Sequence, residues 1–257
     1  MIKELFEKQR PLMMAGAISL VCFVIFAIIS LFDPTEILGI NRWIKPMKFF
    51  ISIAIFVWTT AVYLNFLRGF EKSTRFISWG MISVFFIEMF IIVMQAARGT
   101  TSHFNVKNPV DGMLFSIMGL AIVFNTILAG YLLYLYFKAE IDLPKSIVWG
   151  MRLGLILFLA SSFEGGYMSA QLTHSVGVAD GGAGLPLVNW STRGGDLRVA
   201  HFFGMHAFQA VPLFAVLLEK FRVKHSINLT FAFSLIYFAI FSFVFIQALL
   251  AKPLLSF

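Results

Sequence analysis

Apolar residues run along this chain in seven long blocks, at 12–32, 46–67, 76–97, 110–136, 147–172, 199–219 and 227–250. Strict alternation of polar and apolar positions, the mark of a half-buried or barrel strand, is missing from all of them. Each block can cross a hydrocarbon core of roughly 30 Å as a helix rising about 1.5 Å per residue. Lipid offers no partners to backbone amides and carbonyls, so a spanning segment must satisfy them internally, as a helix does. The pattern predicts an all-α integral membrane protein, one seven-transmembrane-helix bundle over residues 1–257, with no space between spans for a soluble domain.

With seven spans the termini lie on opposite sides. The N-terminal side collects Lys3, Lys8, Arg10, Arg68, Lys72, Arg75, Lys138, Lys145, Lys220, Arg222 and Lys224. The other side holds fewer cations: Arg42, Lys45, Lys48, Arg98, Lys107, Arg193, Arg198 and Lys252. The positive-inside bias predicts a cytoplasmic N-terminus and an extracytoplasmic C-terminus. The cytoplasmic connectors, "RGFEKSTR", "KAEIDLPK" and "EKFRVKHS", are then short charged turns, and the chemically varied connectors face outward. The longest, 173–198, has six glycines and no hydrophobic period, yet its tryptophan and alternating charges predict an ordered extracytoplasmic cap loop rather than a linker.

Composition agrees with this placement. Hydrophobic residues make up 59% of the chain and charged residues 13%, against roughly 25% charged in soluble domains. The net charge of +7 is spread over the loops, which suits lipid headgroups and argues against nucleic acid. The one cysteine, Cys22, sits inside the first span and offers neither a disulfide framework nor a thiolate cluster. The start, "MIKELFEKQRPLMMAG", is basic and then apolar like a signal peptide, but the apolar run is too long and lacks a small-residue cleavage site, so it reads as a retained span.

Polar residues inside spans are costly and point to sites. Glu88 near mid-membrane and Gln95 seven residues on share a helical face; Gln95 could be interhelical glue, whereas Glu88 must be paired or neutral. Asp111 follows Pro109 in the first turn of span four, where the helix dipole alone accounts for an acid. Asn125 reads as helix glue, and Lys45 and Lys48 flank Pro46 where they can snorkel to headgroups. Glu164 sits among small residues in "ASSFEGGYMSAQ", which predicts a close neighbouring helix for it to face.

"GGDLRVAHFFGMHAFQ" opens span six with Asp196 as a helix cap, Arg198 in the first turn, then His201 and His206. Five residues turn a helix by about 500°, so the two rings point roughly 140° apart and a regular helix does not offer both to one metal. Lys48, Glu88, Gln95, Asp111, Glu164, His201, His206 and Gln247 all fall in the outer half of the spans, which predicts an outward-open polar pocket.

Three functions fit these residues. In a membrane-embedded enzyme acting on a lipid or isoprenoid-type substrate, His103, His201 or His206 is the base and Glu88, Glu164, Asp111 or Asp196 orients it. Arg98, Arg193 and Arg198 would hold an anionic headgroup, with Ser102, Asn105, Lys48 and Gln95 completing the binding surface. A redox or metal protein would bind haem b or zinc through His103, His201 or His206. A transporter or sensor would relay protons or cations through Glu88 and Glu164. Membrane lipids are partners in every case, with a lipid-like or small-molecule ligand in the pocket.

Known seven-helix families fit poorly. Retinal proteins need a mid-membrane lysine on the last span, where this chain has only Lys252 at its end. G-protein-coupled receptors have an external N-terminus, and the seven-helix zinc hydrolases related to alkaline ceramidases have a three-residue histidine spacing that "HFFGMH" lacks. The stretches "RGTTSHFN" and "GGDLRVAHFFGMH", however, resemble the RGxxSHFN and GGDLRxxHFxGMH signatures of an uncharacterised family of bacterial polytopic membrane proteins. The resemblance covers spans three to six. It implies that Arg98, Ser102, His103, Asn105, Asp196, Arg198, His201 and His206 act together in a bacterial cytoplasmic membrane, and it carries no activity.

Overall fold

The structure, a computed structural model, describes residues 2–182 and 184–256. A short helix α1 (Ile2–Lys8) leads into α2 (Arg10–Phe32), and a tight hairpin of β1 (Glu36–Ile37) and β2 (Ile40–Asn41) connects it to α3 (Ile44–Asn65). Then come α4 (Glu71–Ala97), α5 (Pro109–Lys138) and α6 (Lys145–Gln171). The 173–198 connector carries β3 (Ser175–Val176), which pairs antiparallel with β4 (Gly195–Asp196), and α7 (Leu197–Lys220) and α8 (Ser226–Leu249) follow.

Seven of these helices, α2 to α8, are long and apolar enough to cross a membrane, and the protein is an integral membrane protein of helical-bundle type. Large apolar side chains stand fully outward on them: Phe86 and Leu120 are each 73% exposed and Phe163 is 77% exposed. Water would make such surfaces costly; lipid makes them neutral. The helices reach beyond the apolar blocks, most clearly α4, which begins at Glu71 rather than 76. Its first turn, Glu71-Lys72-Ser73-Thr74, is polar but helical, because hydropathy marks the depth of lipid and not the end of the hydrogen-bond ladder.

The chain divides into two compact units, Met1–Leu135 and Tyr136–Phe257. In the first, α2 packs along α3 and α3 along α4. Gly16 lies under the Trp58 indole, which donates to the Met13 carbonyl at 3.1 Å, so a residue with no side chain lets an aromatic ring lie flat on α2. In the second, α6 and α7 form the closest pair, through small residues: Gly150 against Ala215 and the backbone at Pro212, Gly204 against Ser161, and Gly165 beneath the His201 ring. Tyr237 on α8 donates to the Phe203 carbonyl at 2.8 Å, and Arg152 on α6 donates through Nε and Nη2 to the Tyr136 carbonyl at 3.0 and 2.7 Å. The same guanidinium lies 4.7 Å from the Phe137 ring and 5.0 Å from that of Trp149, which balances part of its charge.

A side chain at Gly204 would run into Ser161 and Phe241, whereas nothing lies within 4 Å of a Cβ at Gly166. Gly204→Ala is expected to cost about 1–3 kcal/mol of stability, read as a lower melting temperature in detergent, and Gly166→Ala is expected to be neutral or stabilising.

Candidate functional site

The first unit gathers its polar residues where α4 ends and α5 begins. Arg98 is the C-cap residue of α4, and its Nη1 donates both to Gln95 Oε1 at 2.6 Å and to Asp111 Oδ1 at 2.9 Å. Gln95, fully buried, donates its own amide to Asp111 Oδ1 at 2.9 Å. Asn108 Nδ2 donates to Asp111 Oδ2 at 2.6 Å and Asn108 Oδ1 accepts from the Asp111 amide at 3.0 Å, so the Asn108 side chain caps the first turn of α5. Asp111 is therefore a helix-end acid with a second task, since it also fixes the far end of α4.

The connector between these helices is held from within. Asn105, buried, donates to Thr100 Oγ1 and the Thr101 carbonyl, both at 3.0 Å. Ser102, also buried, has its hydroxyl 3.1 Å from His103 Nδ1, and the half-buried His103 ring lies in an aromatic nest of Phe49, Phe104 and Phe115. Beside it, the α2–α3 hairpin is clamped by Asp33, which receives Arg42 Nε and Trp43 Nε1, each at 2.7 Å. Arg42 Nη1 also donates to the Ala97 carbonyl at 3.1 Å, so the hairpin is tied to the end of α4.

Deeper in α4, Glu88 is buried, and neither of its carboxyl oxygens has a hydrogen-bond partner among the described residues. Lys45 on α3 is the cation whose charge reaches it. Lys48, one turn further along α3, is half-buried.

In the second unit the cap loop and the head of α7 share one anchor. Asp196, buried, accepts from the Ser191 amide at 2.8 Å and from the Arg198 amide at 3.1 Å, and receives Arg198 Nε at 2.9 Å and Nη2 at 2.6 Å. Arg198 Nη2 donates on to the Asn189 carbonyl at 2.5 Å. His174 Nδ1 lies 3.4 Å from Asp180 Oδ1 and 3.8 Å from Asp196 Oδ1. Burial acts against the charge on Asp180, but the Thr173 hydroxyl, the neighbouring His174 and Ser175 hold its carboxyl below the ordinary value. Arg193 is exposed, with its amide donating to Ser191 Oγ at 3.3 Å. Behind Asp196, the crevice against Val244, Gln247 and Ala248 is too narrow for a water molecule, and Gln247 Nε2 donates to the Pro253 carbonyl at 2.6 Å.

One turn into α7, His201 Nδ1 lies 2.9 Å from Glu164 Oε2 on α6. The imidazole is 33% exposed and the carboxyl 3%, and Glu164 Oε1 is buried with no hydrogen-bond partner. Ser161 Oγ donates to the His201 carbonyl at 3.2 Å, which fixes the register of α6 on α7 at this level. His206 takes another direction: its ring packs on Phe202 at 4.4 Å and hydrogen-bonds Gln209 on the same helix.

Of the sequence-predicted residues, Arg98, Gln95 and Asp111 form one network; Ser102, His103 and Asn105 stand in the adjoining loop; Asp196 pairs with Arg198; and Glu164 pairs with His201. The side chains of Glu88, Arg193 and His206 lie outside these networks. Asp33, Arg42, Asn108, His174 and Asp180 are members the sequence reading passed over. Among the described residues no three His, Cys, Asp or Glu side chains are grouped as a metal would require.

No protein-family model, curated protein or solved structure matches the chain. Its class rests on its own architecture, an integral membrane protein of seven apolar helices with polar networks at helix ends.

Asp33 provides a pH test. The Thr35 side chain and amide, then Trp43 and Arg42, hold its carboxyl well below the usual range against the opposing effect of burial. A folded value below the unfolded one means stability present above about pH 4 and lost as pH falls through the folded value. Melting temperature in detergent is expected to drop below about pH 4, and to drop less in Asp33→Asn, which has no charge to lose. A second measurement concerns the cap: Asp196→Ala strands the Arg198 guanidinium and the Ser191 and Arg198 amides and is expected to cost about 3 kcal/mol, seen as rapid proteolysis within 173–198 while the helices stay intact.

Proposed function

We propose that this protein is a membrane-embedded enzyme that performs histidine–carboxylate acid–base chemistry on a lipid or isoprenoid-type substrate. The observation that carries the reading is the Glu164–His201 pair. With Nδ1–H donating to a carboxylate, the imidazole is fixed in the tautomer that presents the Nε2 lone pair, and Glu164 stabilises the imidazolium that forms when Nε2 takes a proton. The carboxyl is buried while the ring is partly open, the division of labour expected of an orienting acid and a working base. Lipid-facing helix surfaces allow an amphiphilic substrate to reach the ring sideways from the bilayer. Arg198 and Arg193, at the head of the same helix and in the loop above it, supply cations for an anionic headgroup.

In this reading the protein sits in a bacterial cytoplasmic membrane with its N-terminus in the cytoplasm, so the His201 end of α7 works on the outer face. The basic residues of the N-terminal-side loops support that orientation. A second reading, a proton or cation relay, is favoured by Glu88 alone: a buried carboxyl with two unpartnered oxygens is costly unless a proton, a cation or a ligand donor compensates it.

The two readings separate by experiment. Reconstituted protein is incubated with a total bacterial lipid extract, and changes in lipid mass are followed by mass spectrometry. Wild type is expected to convert a lipid, with His201→Asn and Glu164→Gln slowed by about 100-fold or more and Glu88→Gln unaffected. Full turnover by folded His201→Asn overturns the enzyme reading; pH-gradient decay in vesicles that depends on Glu88 and not on His201 supports the relay instead.

A further inference from the structure

A groove of about 690 Å³ runs between α4 and α5, toward the opposite end of α4 from Gln95 and Arg98. Its walls are Lys72, Arg75, Phe76, Trp79 and Gly80 of α4 and Phe124 of α5, with Ser83 at its inner end. Residues 72, 75, 76, 79, 80 and 83 recur at three- and four-residue intervals and so lie along one face of α4. The eleven steps from residue 72 to residue 83, at about 1.5 Å rise each, give a length of roughly 16 Å, close to one leaflet of a hydrocarbon core roughly 30 Å thick.

The groove is built rather than incidental. Ser73 Oγ and Tyr131 Oη, 2.8 Å apart, pin the helices at the mouth, and Phe76 meets Phe124 edge-on at 6.3 Å between centroids. At Gly80 a Cβ would come within 2.7 Å of Leu128, so the absence of a side chain there lets α5 approach and form the floor.

Its polarity is graded along its length. Both cations stand at the mouth, in the first two turns of α4, and the walls below them are the rings of Phe76, Trp79 and Phe124 and the bare backbone of Gly80, with no further charged group and only the small hydroxyl of Ser83 at the inner end. The acid at the mouth, Glu71, already receives the Gly69 amide at 3.0 Å. Lys72 and Arg75 are exposed, and among the described residues neither is paired with an acid. Trp79, one turn deeper and 55% exposed, is at the level where tryptophans meet the base of the headgroups.

We propose that this groove is a binding site for an anionic glycerophospholipid, with its phosphate and headgroup held by Lys72 and Arg75 and one acyl chain lying along Phe76, Trp79, Gly80 and Phe124. The gradient decides the occupant. A helix from a second copy of the chain would have to be apolar beside Trp79 and acidic beside Lys72, whereas a single anionic lipid has that profile in the right order and at one-leaflet length. The site is independent of the Glu164–His201 reading and uses none of its residues.

The test uses the full chain in phosphatidylcholine vesicles in which either a minority of phosphatidylglycerol or an equal amount of phosphatidylcholine carries bromine on its acyl chains. Fluorescence quenching of Trp79 is the difference between wild type and Trp79→Phe. Brominated phosphatidylglycerol is expected to quench Trp79 at roughly tenfold lower mole fraction than brominated phosphatidylcholine, the order expected of two cations at a membrane surface. The preference is expected to vanish in Lys72→Gln/Arg75→Gln and to persist in Lys220→Gln/Lys224→Gln, which removes equal charge elsewhere. Equal quenching by both lipids in wild type means an unselective furrow and overturns the proposal. So does no quenching by either, which would mean a protein occupant. Retention of the preference in the first double variant, or its loss in the second, overturns it as well.

Discussion

Inside hydrocarbon a polar atom has no water to fall back on, and that constraint orders nearly every feature of this protein. Hydroxyls within the spans turn back onto their own helices: Ser19 to Ala15, Thr60 to Phe56, Ser78 to Thr74, Thr230 to Ser226 and Ser234 to Thr230. Two charges near span ends are tied to polar groups, Arg152 to the Tyr136 carbonyl and Glu219 to the hydroxyls of Ser146 and Ser226. Against such thorough compensation, the exceptions stand out. Among the described residues these are single amide oxygens of Asn65, Asn125 and Gln209, one oxygen of Glu164 and both of Glu88, and the two acids are the groups from which the functional readings start.

The helices were legible because length and apolarity are properties of single segments. Local devices were legible too: Asp196 after a glycine pair caps α7, and Asp111 sits in the first turn after Pro109. The divergence of His201 and His206 followed from helical pitch, and the structure sends them to Glu164 and to Phe202 with Gln209. What stayed hidden was the rotation of one helix about its axis relative to the next. Nothing in "ASSFEGGYMSAQ" says that Glu164 meets the imidazole of a histidine 37 residues on while Ser161 meets only its carbonyl. The small residues around it announced a close neighbour without naming it.

Loop networks were harder still. Asp33, Arg42 and Trp43 look in sequence like ordinary span-flanking residues, yet a two-residue hairpin folds them into one cluster. His174 and Asp180 lie six residues apart in a glycine-rich stretch without periodicity, and the turn that brings them together passes through Gly177, which is in the positive-φ region. The pairing of β3 with β4 closes that loop and delivers Asp196 to the head of α7.

The cap also rests on the far end of the chain. Gly195 lies so close to the Ala248 carbonyl that a side chain there would collide with it, and Gly177 lies against Ala251. These footings belong to the end of α8 and the residues just after it, which follow the loop in the chain. The β3–β4 loop therefore emerges long before the surface it sits on exists, and it can reach its final form only after the seventh apolar helix is in place. Closure of the cap is therefore a long-range event, set by the surface at the end of α8 as much as by the turns of the loop itself.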